Sequence, residues 1–138
     1  MTPDQVRLVQ ESFAKVVPIA GTAATLFYDR LFALDPAVRS LFGQADMAVQ
    51  GQKLMAALGE VVGALRAPET VMPEIRALGT RHAGYGVQAA HYATVGAALL
   101  WTLEQGLGEA FTPETREAWA TAYGVVSGAM TEAAGQGG

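Results

Sequence analysis

Two histidines carry most of the chemistry that residue type alone opens to this chain. His82 and His91 are its only histidines. His82 stands near the end of a helical pattern, and Gly84 and Gly86 close behind it can take the left-handed conformations that stop a helix. An imidazole at a helix end, with an apolar helix on either side of the turn, can project into a helical core. Neutral imidazole is also the commonest protein ligand for a metal. Taken alone, such a histidine is more often an ordinary core or surface residue than a ligand. Tyr28 lies inside another helical stretch and Gln50 at the start of a third. Without further context, a helical tyrosine is core with its hydroxyl satisfied, and a glutamine at a helix start is exposed. The chain has no cysteine. That excludes disulfides, thiolate metal ligands and iron–sulfur clusters, and with them covalent attachment through Cys-x-x-Cys-His.

The elements that must position these residues read as helices throughout. Thr2-Pro3-Asp4-Gln5 is a helix start, with a capping threonine, proline in the first position and glutamine where a capping box needs it. Val6, Val9, Phe13 and Val16 then repeat on one face. Pro18 breaks or re-caps, and a second helix is expected to about Ala33. Asp35-Pro36 opens a short helical turn through Leu41-Phe42, and 43–46 is a loop. A long helix is expected from about Ala48 to Arg66, with Leu54, Leu58, Val61, Val62 and Leu65 as its apolar face. Pro68 and Pro73 interrupt before a helix that ends at His82. A further helix is expected from about Ala89 to Gly106, and Thr112-Pro113-Glu114 starts the last one. No strand-like alternation and no repeat appears. About seven helices of unequal length with short links do not suit an up-and-down bundle. They suit pairwise crossings around a central pocket. The end, 135–138, is expected to be a flexible tail.

Composition narrows the class. The 138 residues suit one domain over 1–138 with a real core, 51% are apolar and 16% charged, and the net charge is −4. No basic run occurs, so neither nucleic acid nor an anionic membrane surface is an expected partner. No apolar run approaches the ~20 residues of a membrane span. The acidic start has no basic region, so it does not read as a signal peptide. A reducing, cytoplasmic location is expected.

Seven short pieces, in order and at consistent spacing, carry a family resemblance. They are Leu26-Phe27-Tyr28 with Leu31-Phe32, Leu41-Phe42, Gln50 with Lys53-Leu54, Arg81-His82 with Gly86-Val87, His91-Tyr92, Val95-Gly96, and Ala118-Trp119 with Tyr123-Gly124. Together they resemble the single-domain bacterial globins and the globin half of flavohaemoglobins, over nearly the whole chain. The resemblance implies an all-α, three-on-three globin fold around non-covalent haem b, iron protoporphyrin IX. It makes His82 the proximal iron ligand through Nε2, its other nitrogen donating to a backbone carbonyl or another partner. It places Phe42 flat on the porphyrin. Lys53, Leu54, Leu58, Leu78, Val87, Tyr92 and Val95 become further cofactor contacts. Tyr28 and Gln50, with Leu54 one turn on, become the distal residues that donate to a gas ligand. Tyr92 and Tyr123 match the family's proximal tyrosines. Arg81 matches a basic neighbour of the proximal histidine, expected near a propionate or in solvent. Ala24 and Gly51 are small residues suited to a close helix crossing. Ala93 replaces a proline of the family's His-Tyr-Pro segment.

The function implied is reversible binding of dioxygen, with nitric oxide and carbon monoxide as other ligands. Nitric oxide dioxygenase activity would need a separate reductase, because 138 residues hold only the globin. A haem-based gas or redox sensor, or a stress protein acting through a partner, is the rival reading. A monomer or weak homodimer is expected. The family glutamate on the last helix, fifteen residues after the tryptophan matching Trp119, falls here on Ala134. Glu132 is nine residues beyond Tyr123. At ~100° per residue it points roughly opposite to that tyrosine. A neutral proximal imidazole and weak peroxidase chemistry are therefore expected.

Overall fold

In a computed structural model, which describes residues 1–137, every regular element is helical among the described residues. Six α-helices appear: α1 Pro3–Val16, α2 Ala20–Leu34, α3 Met47–Gly63, α4 Met72–Gly84, α5 Ala89–Leu107 and α6 Pro113–Gly137. The expected short turn after Asp35 is a 3₁₀ segment, Pro36–Phe42, and shorter 3₁₀ turns precede α2, α4 and α6. Helix α6 continues to Gly137, so residues 135–137 of the expected tail are helical. Gly138 lies outside the described residues.

The starts of the helices follow their capping chemistry. The Gln5 N–H donates to the Thr2 hydroxyl (3.1 Å) and the Thr2 N–H to the Gln5 side chain (3.1 Å), completing the capping box. The Thr115 N–H donates to the Thr112 hydroxyl at the start of α6. Asp46 does the same for α3, accepting from the Ala48 N–H at 2.9 Å.

Two apolar clusters hold the helices together. The larger joins Val9, Phe13 and Val16 of α1, Phe27 and Leu31 of α2, Leu99 and Leu103 of α5, and Trp119 of α6. Within it the buried Trp119 indole N–H donates to the Ser12 hydroxyl at 2.8 Å, so the polar edge of the ring is satisfied. The smaller cluster joins Ile75 of α4 to Ala129 and Met130 of α6. Helix α4 therefore rests on α6 and does not pack broadly on α3.

Three glycines set the crossings. A Cβ at Gly79 would collide with the Met130 backbone, so α4 and α6 touch main chain to main chain. A Cβ at Gly51 would lie 2.9 Å from that of Ala24, which is the close α2–α3 crossing expected of this small pair. A Cβ at Gly96 would lie 2.8 Å from the Tyr123 ring, so that ring occupies a notch in α5.

Candidate haem site

The turn after α4 fixes His82. The Val87 N–H reaches back to the His82 carbonyl (3.0 Å) and the Gly86 N–H to the Ala83 carbonyl (3.1 Å). Gly86 takes φ +95°, which a residue with a Cβ avoids; Gly84 stays helical. The helix thus runs two residues past His82, and only the second glycine stops it. The His82 ring is tied to its own helix, because Nδ1 lies 2.9 Å from the Leu78 carbonyl. A carbonyl only accepts, so Nδ1 carries the proton. In the neutral ring Nε2 is then left with a free lone pair. Burial lowers the His82 pKa, and the Arg81 charge adds to this, against the opposing pull of the Leu78 hydrogen bond.

His91 shows the opposite arrangement. Its Nδ1 accepts from the Gln88 backbone N–H at 2.9 Å, closing the start of α5. That ring is committed to a cap.

On α2 and α3, Tyr28 and Gln50 meet. The Tyr28 hydroxyl donates to the Gln50 backbone carbonyl at 3.4 Å. Burial pushes the Tyr28 pKa up to about 12, so the group keeps its proton and remains a donor near neutral pH. Its ring meets Phe42 edge-on at 5.5 Å, Phe27 edge-on at 5.0 Å and Phe32 stacked at 6.0 Å. Phe27 and Phe32 were not expected near this site. The one signal for Phe32 was its place four residues after Tyr28 on one helix face.

The remaining residues separate by element. Gln50, Leu54 and Leu58 lie half-buried on α3, and Lys53 between them is exposed. Leu54 and Leu58 also line a small apolar cavity of about 20 Å³, with Phe13, Phe27, Leu103 and Trp119 among its walls. Leu78 is half-buried on α4, Val87 in the turn, and Tyr92 and Val95 on α5. Arg81 is exposed, in the solvent position allowed for it. The Tyr123 hydroxyl donates to the Tyr92 carbonyl at 2.6 Å, which ties α6 to the start of α5. Burial raises the pKa of both tyrosines, and their mutual repulsion raises Tyr123 further.

Glu132 differs from expectation. It lines the same open groove as Tyr92 and Tyr123 and pairs with Arg76 of α4 at 3.8 Å, both side chains exposed. Its carboxylate thus faces α4, yet the Nδ1 proton of His82 goes to Leu78.

The residue set suits a flat apolar cofactor with a metal at its centre. Tyr28, Phe42, Leu54, Leu58 and Val95 pack against the larger cluster, while Leu78 and Tyr92 pack against the smaller one. These half-buried apolar side chains therefore belong to two separately packed walls. One imidazole lone pair stands on the α4 wall. No group of three or more His, Cys, Asp or Glu gathers among the described residues. An ion held there would need to bring its other ligands with it, as a porphyrin does.

The family model for globins matches residues 25–130, and the chain belongs to the globin family. The flavohemoproteins of Bordetella parapertussis and Bordetella bronchiseptica are each 36% identical to it over 127 residues, 90% of this chain and 32% of theirs. That of Bacillus subtilis is 31% identical over 106 residues, 75% of this chain and 27% of its own length. The chain spans about a third of the length of these curated relatives. No described helix is long and apolar enough to cross a membrane.

Proposed function

We propose that the protein binds haem b non-covalently and uses it to bind dioxygen and other small gases reversibly, in the cytoplasm, as a monomer or weak homodimer. The observation that carries this is the His82 tautomer: Nδ1–H is fixed on the Leu78 carbonyl, which leaves the Nε2 lone pair of the neutral ring free to bind a metal. His82 would be the iron ligand. Phe42, Leu58, Leu78, Val87, Tyr92 and Val95 would pack on the porphyrin, and Lys53, exposed on α3, would reach its polar edge. The cofactor would supply the reversible binding of a diatomic gas.

The chain's own part is to hold and select the ligand. Tyr28 and Gln50 would donate hydrogen bonds to a polar gas, and Leu54 would limit its room. Nitric oxide dioxygenase activity would need electrons from a reductase. The spectrum tests the whole reading. Protein loaded with haem should show a strong Soret band that shifts when the ferrous form takes up carbon monoxide. A protein that retains no haem through gel filtration sinks it.

The proximal pull should be weak. The Nδ1 partner of His82 is a neutral carbonyl, whereas a carboxylate there would push electron density onto the ring. Glu132 is occupied at the surface with Arg76. The iron–histidine stretching frequency of the ferrous protein should therefore fall in the range of oxygen-binding globins with a neutral imidazole, and Glu132→Gln should leave it unchanged. A raised, peroxidase-like frequency that drops in Glu132→Gln would show that the carboxylate acts on the histidine after all.

A further inference from the structure

The Tyr28 hydroxyl is poorly held by its own hydrogen bond. At 3.4 Å the contact with the Gln50 carbonyl is long for O–H···O, whose usual range is about 2.5–3.0 Å. The direction of the hydroxyl must therefore come from packing of the ring. Three rings supply it. Phe27 is 4% exposed and belongs to the larger cluster whatever Tyr28 does. Phe42 is already accounted for as a cofactor contact. Phe32 is the third. It lies one helical turn after Tyr28, its plane within 27° of the tyrosine ring, and it meets Phe42 edge-on at 5.5 Å. Phe32 therefore closes a triangle with Tyr28 and Phe42 and backs both.

Phe32 is itself clamped from outside. The Arg39 guanidinium carbon lies 5.2 Å from the centre of its ring, within the distance at which a cation is drawn to an aromatic face. Arg39 is exposed and makes no ion pair among the described residues. It sits on the 3₁₀ segment Pro36–Phe42, which also carries Phe42. One cation–ring contact thus fastens that segment to α2 directly behind the tyrosine.

We propose that Phe32, held by Arg39, is a positioning residue that aims the Tyr28 hydroxyl at the gas ligand. This rests on the reading of Tyr28 as a distal donor. Neither residue touches the ligand. Each acts by denying the tyrosine ring room to tilt.

The experiment is a double-mutant cycle on haem-loaded protein, read by dioxygen release rate and by the infrared stretch of bound carbon monoxide. Phe32→Ala should release dioxygen about two- to tenfold faster, the worth of one aromatic pair. Its carbon monoxide stretch should move towards that of Tyr28→Phe. In the Tyr28→Phe background the same change should add little to dioxygen release, because its positioning role runs through the Tyr28 hydroxyl. Arg39→Gln should give about a twofold faster release, and Arg39→Lys, which keeps the cation, should restore wild-type behaviour. If Phe32→Ala does not fold, Phe32→Leu and Arg39→Gln carry the same cycle. A full Phe32 effect that persists without the hydroxyl overturns the proposal, as does a Phe32 variant with wild-type release and stretch. If Tyr28→Phe alone changes neither readout, the donor assignment of Tyr28 has failed, and the positioning role falls with it.

Discussion

Replacing His82 with alanine should abolish tight haem binding, and millimolar imidazole should restore a ferrous spectrum close to wild type. The reason lies in how completely this ring is prepared. The Leu78 carbonyl fixes the tautomer, and the reversed turn at Gly86 fixes the backbone. Free imidazole can replace the ring but not its tether, so rescue should need a concentration far above that of the protein. His91 offers no substitute, because its Nδ1 is engaged by the Gln88 N–H. The variant should still fold, since His82 belongs to neither apolar cluster. The measurement is haem retention through gel filtration, with and without imidazole, beside circular dichroism of the apoprotein. A variant that retains haem with an unchanged ferrous spectrum would remove His82 as the ligand.

Tyr28→Phe should speed dioxygen release by roughly one to two decades and leave carbon monoxide release nearly unchanged. A hydrogen bond to a partly charged acceptor contributes about 1.5–3 kcal/mol, which is that factor in rate. Carbon monoxide is the less polar ligand and gains less from a donor. The structure adds a reason to expect the tyrosine to be available. Its hydroxyl donates to the Gln50 carbonyl across 3.4 Å, so little is lost when it turns to a better acceptor. Its raised pKa keeps that proton in place across the physiological range. Gln50→Leu should act in the same direction, and the two should be non-additive because they serve one ligand. Stopped-flow displacement of dioxygen by carbon monoxide gives both rates. Two single variants that match wild type would mean that this pair does not hold the ligand.

Much of this architecture could be read from residue order, because its signals are local. The threonine caps before Pro3 and Pro113 mark helix starts that the structure keeps. The small pair Ala24 and Gly51 marked a close crossing, and these two do meet. What could not be read depends on geometry that accumulates over distance. Two glycines follow His82, and only the backbone angle shows that Gly86 stops the helix. Gly79 reads in isolation as a weak helix former, yet it is where α4 lies on the α6 backbone. For Glu132, counting turns from Tyr123 pointed it away. The groove instead follows residues four apart, which drift around the helix by about 40° at each step. Two such steps from Gly124, the neighbour of Tyr123, reach Gly128 and Glu132, so the acid lines the same groove. The aromatic backing of Tyr28 was hidden for another reason. Phe27 and Phe32 look like any core residues until their rings are placed.

The notch at Gly96 has a consequence for how this sequence can change. The Tyr123 ring fills the space where a Cβ on residue 96 would stand, and its hydroxyl is anchored 2.6 Å from the Tyr92 carbonyl, so it cannot simply swing aside. The two positions are therefore ordered in any mutational path. Enlarging Gly96 first meets a fixed ring. Shrinking Tyr123 first opens the notch, after which alanine at 96 fills a space in place of causing a clash. Lineages that gain a side chain at 96 should already have lost the aromatic at 123, and the reverse order should be rare.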